Sequence, residues 1–424
     1  MPIDREDGTV RDATPPAASA ADTPFSLWLD AFRWVAALCV VITHTGNRLL
    51  TNINDIELHQ RTVIHYGFTF LTGFAHQAVM VFFVLSGFLV GGSLMREWQR
   101  TGTADLRLYL MKRLVRLWTV LLPALGLVIA ANAAALWLFD AQSHGVFDTR
   151  DLLGRMAPGA FACNALFLQT VACWEYGRNA ALWSLSNEFW YYVAFPLLVM
   201  GLFPGRAGWR TLMPLALVAG LLGVLTAFQF TGAWIGPYFV IWLAGVFVAV
   251  ARRPPVPLRP WMAGLVFLAF LVATRLAIRR EVFESSPLFT LGYDLVVTAL
   301  FANLLLCLKT APALPPPPLG RLNTRFAGMS FSLYCIHTPI LTLFAAASMH
   351  WLGVGWRMVP RGAETWVLTM AGMGLCVGTA FAFAHVTERH TDAVRRWVQR
   401  MLTPKPYPAA KKVMYPRYGA GTDG

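Results

Sequence analysis

Apolar positions along this chain come in long unbroken runs, not in alternation with polar ones. Windows near 27–47, 76–95, 117–139, 183–203, 211–229, 234–251, 261–278, 288–308, 327–349 and 365–387 are apolar almost throughout and are bounded by charge, Pro or Gly. Each approaches the roughly 20 residues a helix needs to cross a hydrocarbon core of about 30 Å. The pattern predicts an all-α, polytopic membrane protein with about ten transmembrane helices, since a membrane barrel would show short alternating segments. Residues 50–75 and 150–180 leave room for a further re-entrant or interfacial segment.

Composition agrees with the pattern. Of 424 residues, 56% are hydrophobic and only 13% charged, too little polar surface to cover a soluble globule of this size. The net charge of +13 falls mostly on alternate connections: Arg96, Arg100, Arg107, Lys112, Arg113 and Arg116 after the second window, and Arg389, Arg395, Arg396 and Arg400 with further basic residues after the last. Retention of positive charge on the inner side predicts that both termini are cytoplasmic. The same excess faces the anionic inner leaflet, so it calls for membrane lipids as partners and not for nucleic acid. The expected division is a disordered cytoplasmic tail over 1–24, with no apolar stretch to serve as a signal peptide, a membrane domain over 25–390, and a basic cytoplasmic tail over 391–424. Prolines 315–318 predict a stiff, extended connector.

Six cysteines are too few for a disulfide scaffold. Cys39, Cys307, Cys335 and Cys376 fall in apolar runs, where small hydrophobic packing accounts for them. Cys163 and Cys173 lie in the long outer segment of roughly 140–182, where an oxidising compartment would allow a bond; two free thiols are the alternative. The nine histidines show no HExxH or similar spacing, and no Gly-rich loop follows a strand, so neither a metal site nor a permanently bound cofactor is expected.

The chemistry-bearing residues stand out because they sit where hydrocarbon should be. Arg33 and His44 both lie in the first window. Each is expensive in a bilayer and should face a partner or a wet cavity. Eleven residues at about 100° each return to nearly the same face after three turns, which puts the two side chains about 16 Å apart on one side of the helix. His44 then suits a general base, since imidazole titrates near neutrality, with Arg33 orienting the donor or the base. The bland alternative pairs Arg33 with Asp30 and leaves His44 as an outer cap. Glu188 is an acid among Trp183, Trp190, Tyr191 and Tyr192. An interfacial aromatic belt explains the rings but not the carboxylate, which could bond acceptor hydroxyls or fix the His44 tautomer, while the rings could stack on a sugar. His337, with Tyr334 nearly one turn before it, either lines the same cavity or is a satisfied core histidine. Ser86 and Gly87 are better explained by close helix packing than by a serine nucleophile.

Leu29-Asp30 followed by Arg33-x10-His44 resembles the first helix of the acyltransferase-3 family of bacterial integral-membrane acyltransferases. Four further segments fall in that family's order: Phe82-Phe83-Val84-Leu85-Ser86-Gly87-Phe88; Arg113-x-x-Arg116; Trp183-Ser184-Leu185-x-x-Glu188 with Tyr192 and Pro196; and Ser330-Phe331-Ser332-Leu333-Tyr334-Cys335-Ile336-His337, with Glu388-Arg389 closing the match. The resemblance covers about 27–390. Trp34 replaces the family's usual Gly and would crowd the cavity mouth, and His390 replaces its usual Pro.

The resemblance implies an O-acyltransferase, most often an O-acetyltransferase, in the bacterial inner membrane. Acetyl-CoA or another acyl-CoA is then the donor substrate, and a hydroxyl of lipopolysaccharide, exopolysaccharide or a related glycan is the acceptor. It assigns Arg113 and Arg116, three residues apart on one helix face, to the coenzyme A phosphates; an ordinary positive-inside anchor is the alternative. It assigns catalysis to His44, Arg33 and Glu188, and substrate contacts to Trp183, Tyr192, Tyr334 and His337. Two rivals use the same residues: a glycolipid transporter or flippase with a polar conduction path, and a non-catalytic accessory subunit.

Overall fold

In a computed structural model the chain is described over residues 23–103, 105–146, 149–203, 212–232, 234–278, 282 and 286–402. The N-terminal tail expected over 1–24 and the part of the C-terminal tail beyond 402 lie almost wholly outside the described residues, as do Arg206, Arg210, Arg279 and Arg280 of the connections. The described chain is helical, without a strand; its only extended pairings are isolated bridges at Leu50 with Met358 and Gln169 with Cys173.

Each expected window holds a helix. These are α1 (Pro24–Leu49), α3 (Ala75–Ser86) continued by a π turn (Gly87–Gly91) and α4 (Gly92–Thr101), α5 (Leu106–Trp137), α8 (Trp183–Leu202), α9 (Leu212–Phe228), α10 (Ile235–Val250), α11 (Pro260–Ala277), α12 (Pro287–Lys309), α14 (Ser330–Leu352) and α15 (Ala363–Val386). Seven helical stretches among the described residues are long and apolar enough to cross a membrane. The windows at α8, α9 and α10 hold shorter or more polar helices. The remaining helices are short or peripheral: α2 (Val63–Leu71), α6 (Thr149–Arg155), α7 (Pro158–Ala165), α13 (Leu322–Ala327) and α16 (Thr391–Leu402).

Local sequence explains the starts. Thr23 caps α1 by accepting from the Ser26 amide at 3.2 Å with Pro24 in the first turn, and Asp105 caps α5 through the Leu108 amide at 3.0 Å. Lys309 donates to the carbonyls of Val248, Ala249 and Ala251 at 2.8, 2.8 and 3.1 Å, satisfying the open end of α10 with a cation. Outward faces keep large apolar side chains, such as Leu265 and Leu268 of α11 at 59% and 58% exposed, which suits lipid and not water.

The interior divides into two packed regions. One joins α3, α8, α10 and α12; the other joins α1, α5, α14 and α15. α1 lies between them, against α3 on one side and α13, α14 and α15 on the other. The α3–α10 crossing depends on glycine. A Cβ on Gly87 would stand 1.9 Å from the Trp242 carbonyl oxygen, and one on Gly245 would stand 1.9 Å from that of Val84. Close packing through small residues is therefore what Gly87 does, and the π turn begins there.

The outer segment is folded. Cys163 and Cys173 are disulfide-bonded, Asn164 ties α7 to the loop by donating to the Trp174 carbonyl at 3.0 Å and accepting from the Tyr176 amide at 3.1 Å, and the Phe230 amide reaches the Thr170 carbonyl at 3.1 Å. The 315–318 connector is held by Trp28, whose indole N–H donates to the Pro315 carbonyl at 2.9 Å. Trp34 does not crowd a cavity. Its indole N–H bonds Asn323 at 2.8 Å and its ring packs 5.2 Å from Phe326, turning it toward α13.

Candidate active site

Two histidines 293 positions apart in the sequence meet where α1 runs beside α14. His44 Nδ1 lies 2.7 Å from His337 Nε2, with ring centroids 4.9 Å apart. The other nitrogen of His337, Nδ1, lies 3.0 Å from the carbonyl oxygen of Leu333. A carbonyl can only accept, so with both rings neutral the proton of His337 is on Nδ1 and its Nε2 is an acceptor. His44 must then donate from Nδ1, and its Nε2 is left with a free lone pair. His337 is fully buried whereas His44 is half-buried, so the ring with the free nitrogen is the one with access to a substrate.

The backbone of α14 contributes to this arrangement. Pro339 has no N–H, so the carbonyl four residues earlier, that of Cys335, has no helical partner. Asn179 of the outer loop fills the gap, its Nδ2 donating to that oxygen at 2.7 Å, which docks the loop onto α14 next to the histidine pair. Tyr334 extends the cluster: its hydroxyl lies 2.6 Å from Ser184 Oγ, and its ring is 6.2 Å from His337 and 5.7 Å from Phe82.

Glu188 occupies a neighbouring hub. Its Oε1 accepts from Ser86 Oγ at 2.7 Å and from the Tyr192 hydroxyl, while Trp242 donates to Ser86 at 3.1 Å. Glu188 therefore makes no bond to His44, and the tautomer is fixed by His337 and Leu333 instead. Ser86 is committed to the carboxylate and has no histidine beside it. The aromatic residues around Glu188 are core and not an interfacial belt. Tyr191 is fully buried against Phe83 and Phe239, Trp190 donates to the Phe167 carbonyl at 2.9 Å, and Trp183 packs 6.1 Å from Phe83 and 6.3 Å from Tyr238.

At the N-terminal end of α1 Arg33 and Arg116 come together. Arg33 pairs with Asp30 at 3.4 Å and lies within electrostatic range of Arg116 and Glu388. Glu388 accepts from the Ser332 amide at 2.6 Å, so the last motif is engaged despite His390. Arg113 donates to Ser93 Oγ at 2.9 Å and lies over the Tyr109 ring at 5.5 Å, while its Nε is buried without a partner. The structure thus brings Arg33 to Arg116, and His44 to His337 and Tyr334, but it does not bring Arg33 to His44. They stand three helical turns apart on α1.

Two features escaped the sequence. Arg48, one turn beyond His44, donates to Thr342 at the edge of an outer cavity. Its i,i+4 spacing from His44 was the available signal. His76 of α3 holds the fully buried Asp294 of α12 through both carboxylate oxygens at 2.8 and 2.9 Å. A histidine at the mouth of the second window and an aspartate inside the eighth were the available hints of that pair.

Fold and site together define a polytopic helical membrane protein with clusters of ionisable side chains held among its helices. The chain matches a family model described as an acyltransferase domain over residues 26–385, nearly its whole length. It belongs to the acyltransferase-3 family, as its motifs suggested, and is a membrane acyltransferase. No curated protein and no solved structure matches it.

Proposed function

We propose that this protein is an O-acetyltransferase of the bacterial inner membrane, moving an acetyl group from cytoplasmic acetyl-CoA to a hydroxyl of a cell-surface or exported glycan. The observation that supports this most directly is the hydrogen-bond chain from Leu333 through His337 to His44, which leaves an unprotonated ring nitrogen on a half-buried histidine. That nitrogen takes the proton of the acceptor hydroxyl as its oxygen attacks the thioester carbonyl. The C–S bond breaks, and the imidazolium returns the proton to the coenzyme A thiolate, so the products are an acetyl ester and free coenzyme A. His337, bonded to the opposite nitrogen, supports the charge that His44 carries in between.

At the inner end, Arg113 and Arg116 bind the donor's phosphates, with the unpartnered Nε of Arg113 as one available donor. Arg33, balanced by Asp30 and Glu388, orients the pantetheine arm toward the histidine level. Glu188, Ser86, Tyr192 and Tyr334 form the polar wall between the two levels, and Trp183 supports it by packing.

Membrane vesicles given acetyl-CoA labelled in the acetyl group test this. Label on a glycan with native protein, and its loss with His44→Ala at equal protein level, is the expected outcome. Glycan that crosses the vesicle membrane without acquiring label contradicts the proposal and favours transport.

A further inference from the structure

The geometry points to a subsite in the outer cavity for an oxyanion carried by the acceptor, a phosphate or a carboxylate; this rests on the acyltransfer reading and names its acceptor class. The cavity measures about 400 Å³ and receives Arg48, Arg178 and Arg357, with Thr342, Trp356 and Asn132 beside them and no Asp or Glu among the described residues of its wall. Among the described residues, Arg48 and Arg357 have no carboxylate within ion-pair distance. Arg178 shares Asp151 with Arg155, at 3.3 and 2.9 Å. Arg48 and Arg357 flank one indole, their guanidinium carbons 5.9 and 5.8 Å from the Trp356 ring centroid. Arg48 and Arg357, with no carboxylate beside either, and Arg178, which only shares one, repel across this space unless a further anion sits among them, and a low-dielectric wall strengthens that demand.

The cavity is built by tertiary contacts, not left over between loops. Arg357 and Arg178 both have left-handed backbone, φ 46° and 62°, a conformation that side chains other than glycine rarely adopt. The first is held by the Met358 amide on the Leu49 carbonyl at 2.7 Å and the Thr51 amide on the Met358 carbonyl at 2.9 Å. The second is held between Asn132, donating to the Gly177 carbonyl at 3.2 Å, and Asn179, anchored on α14. Position completes the case. Arg48 and Thr342 stand about one helical turn, ~6 Å, outward of His44 and His337 on the same two helices. An acceptor held here by its anionic group presents its neighbouring hydroxyls to the free nitrogen of His44.

Equilibrium dialysis of the full chain in phosphatidylcholine nanodiscs, with labelled glucose 1-phosphate, glucuronate and methyl glucoside as probes, tests this. The two anionic sugars should bind at least tenfold more tightly than methyl glucoside. Arg357→Gln, at an exposed position, should weaken them tenfold or more, and Arg357→Lys should fall between. Equal binding of all three probes, or no effect of Arg357→Gln, overturns the subsite. Loss of sugar-phosphate binding when the discs contain phosphatidylglycerol would assign the cavity to a lipid headgroup and also overturn it. Dialysis needs no turnover. Absent binding in a preparation that acetylates glycan refutes this inference alone, and binding without any acetyl transfer refutes the acyltransfer reading alone.

Discussion

His44 was conspicuous as an imidazole in an apolar run, and its spacing from Arg33 suggested one face of α1 and a shared cavity, whereas the two make separate contacts three turns apart. Its partner was not legible, because contact across 293 positions is decided by which helices pack together. The role expected of Glu188, fixing the His44 tautomer, falls to His337 and the Leu333 carbonyl. His337 is therefore a positioning residue, and His337→Ala should lower kcat about 10–100-fold with little change in KM for acetyl-CoA. His337→Gln, whose amide oxygen can still accept from His44 Nδ1, should restore part of that loss. Equal damage from both variants would mean the residue only fills space. In the outer loop, burial pushes the Glu175 carboxyl above the usual carboxylate range, against the pull of its own backbone amide and Arg155. A raised folded-state pKa stabilises the protein below the unfolded value, near ~4.3, and that contribution is lost as pH rises through the folded value. Glu175→Gln should thus raise the melting temperature at pH 7, with the gain shrinking toward pH 4; a melting temperature lowered at pH 7 would contradict the argument.

At the scale of elements, hydrophobic runs located every principal helix, because lipid demands length and apolarity from each segment separately. Runs do not report what happens when helices meet. The π turn at 87–91 arises where Gly87 lies against the Trp242 carbonyl, a contact fixed by α10 and invisible from α3 alone. Likewise α2 and α16 depend on docking, and α16 helicity at the start of the expected basic tail comes from an amphipathic pattern packed against α5. Gly87→Ala should force the α3–α10 crossing apart, a cost of about 1–3 kcal/mol or more, and disturb the Ser86–Glu188–Trp242 hub beside it. Reduced monodisperse yield in size-exclusion chromatography and a lower melting temperature would report it; native-like values would show that the crossing has slack.

For the whole molecule, charge asymmetry set the expected orientation, and the structure places Arg33 with Arg116 at one level along α1 and His44 with His337 at another. On the expected orientation the bonded Cys163 and Cys173 face outward, so a membrane-impermeant thiol reagent applied to intact cells after mild reduction should label them. Labelling only after the inner membrane is breached would invert the topology and, with it, the side from which each substrate enters. The cationic outer cavity could not be foreseen, because Arg48, Arg178 and Arg357 come from three distant segments joined only by the fold. The central claim is that His44 carries the proton in acetyl transfer. Acetyl ester on surface glycan is the direct measure, compared between a deletion strain restored with native protein and one restored with His44→Ala at matched membrane levels. The account predicts a loss of about 10²–10⁴-fold in transfer rate, enough to remove detectable ester. Ester at the native level in the His44→Ala strain would contradict it.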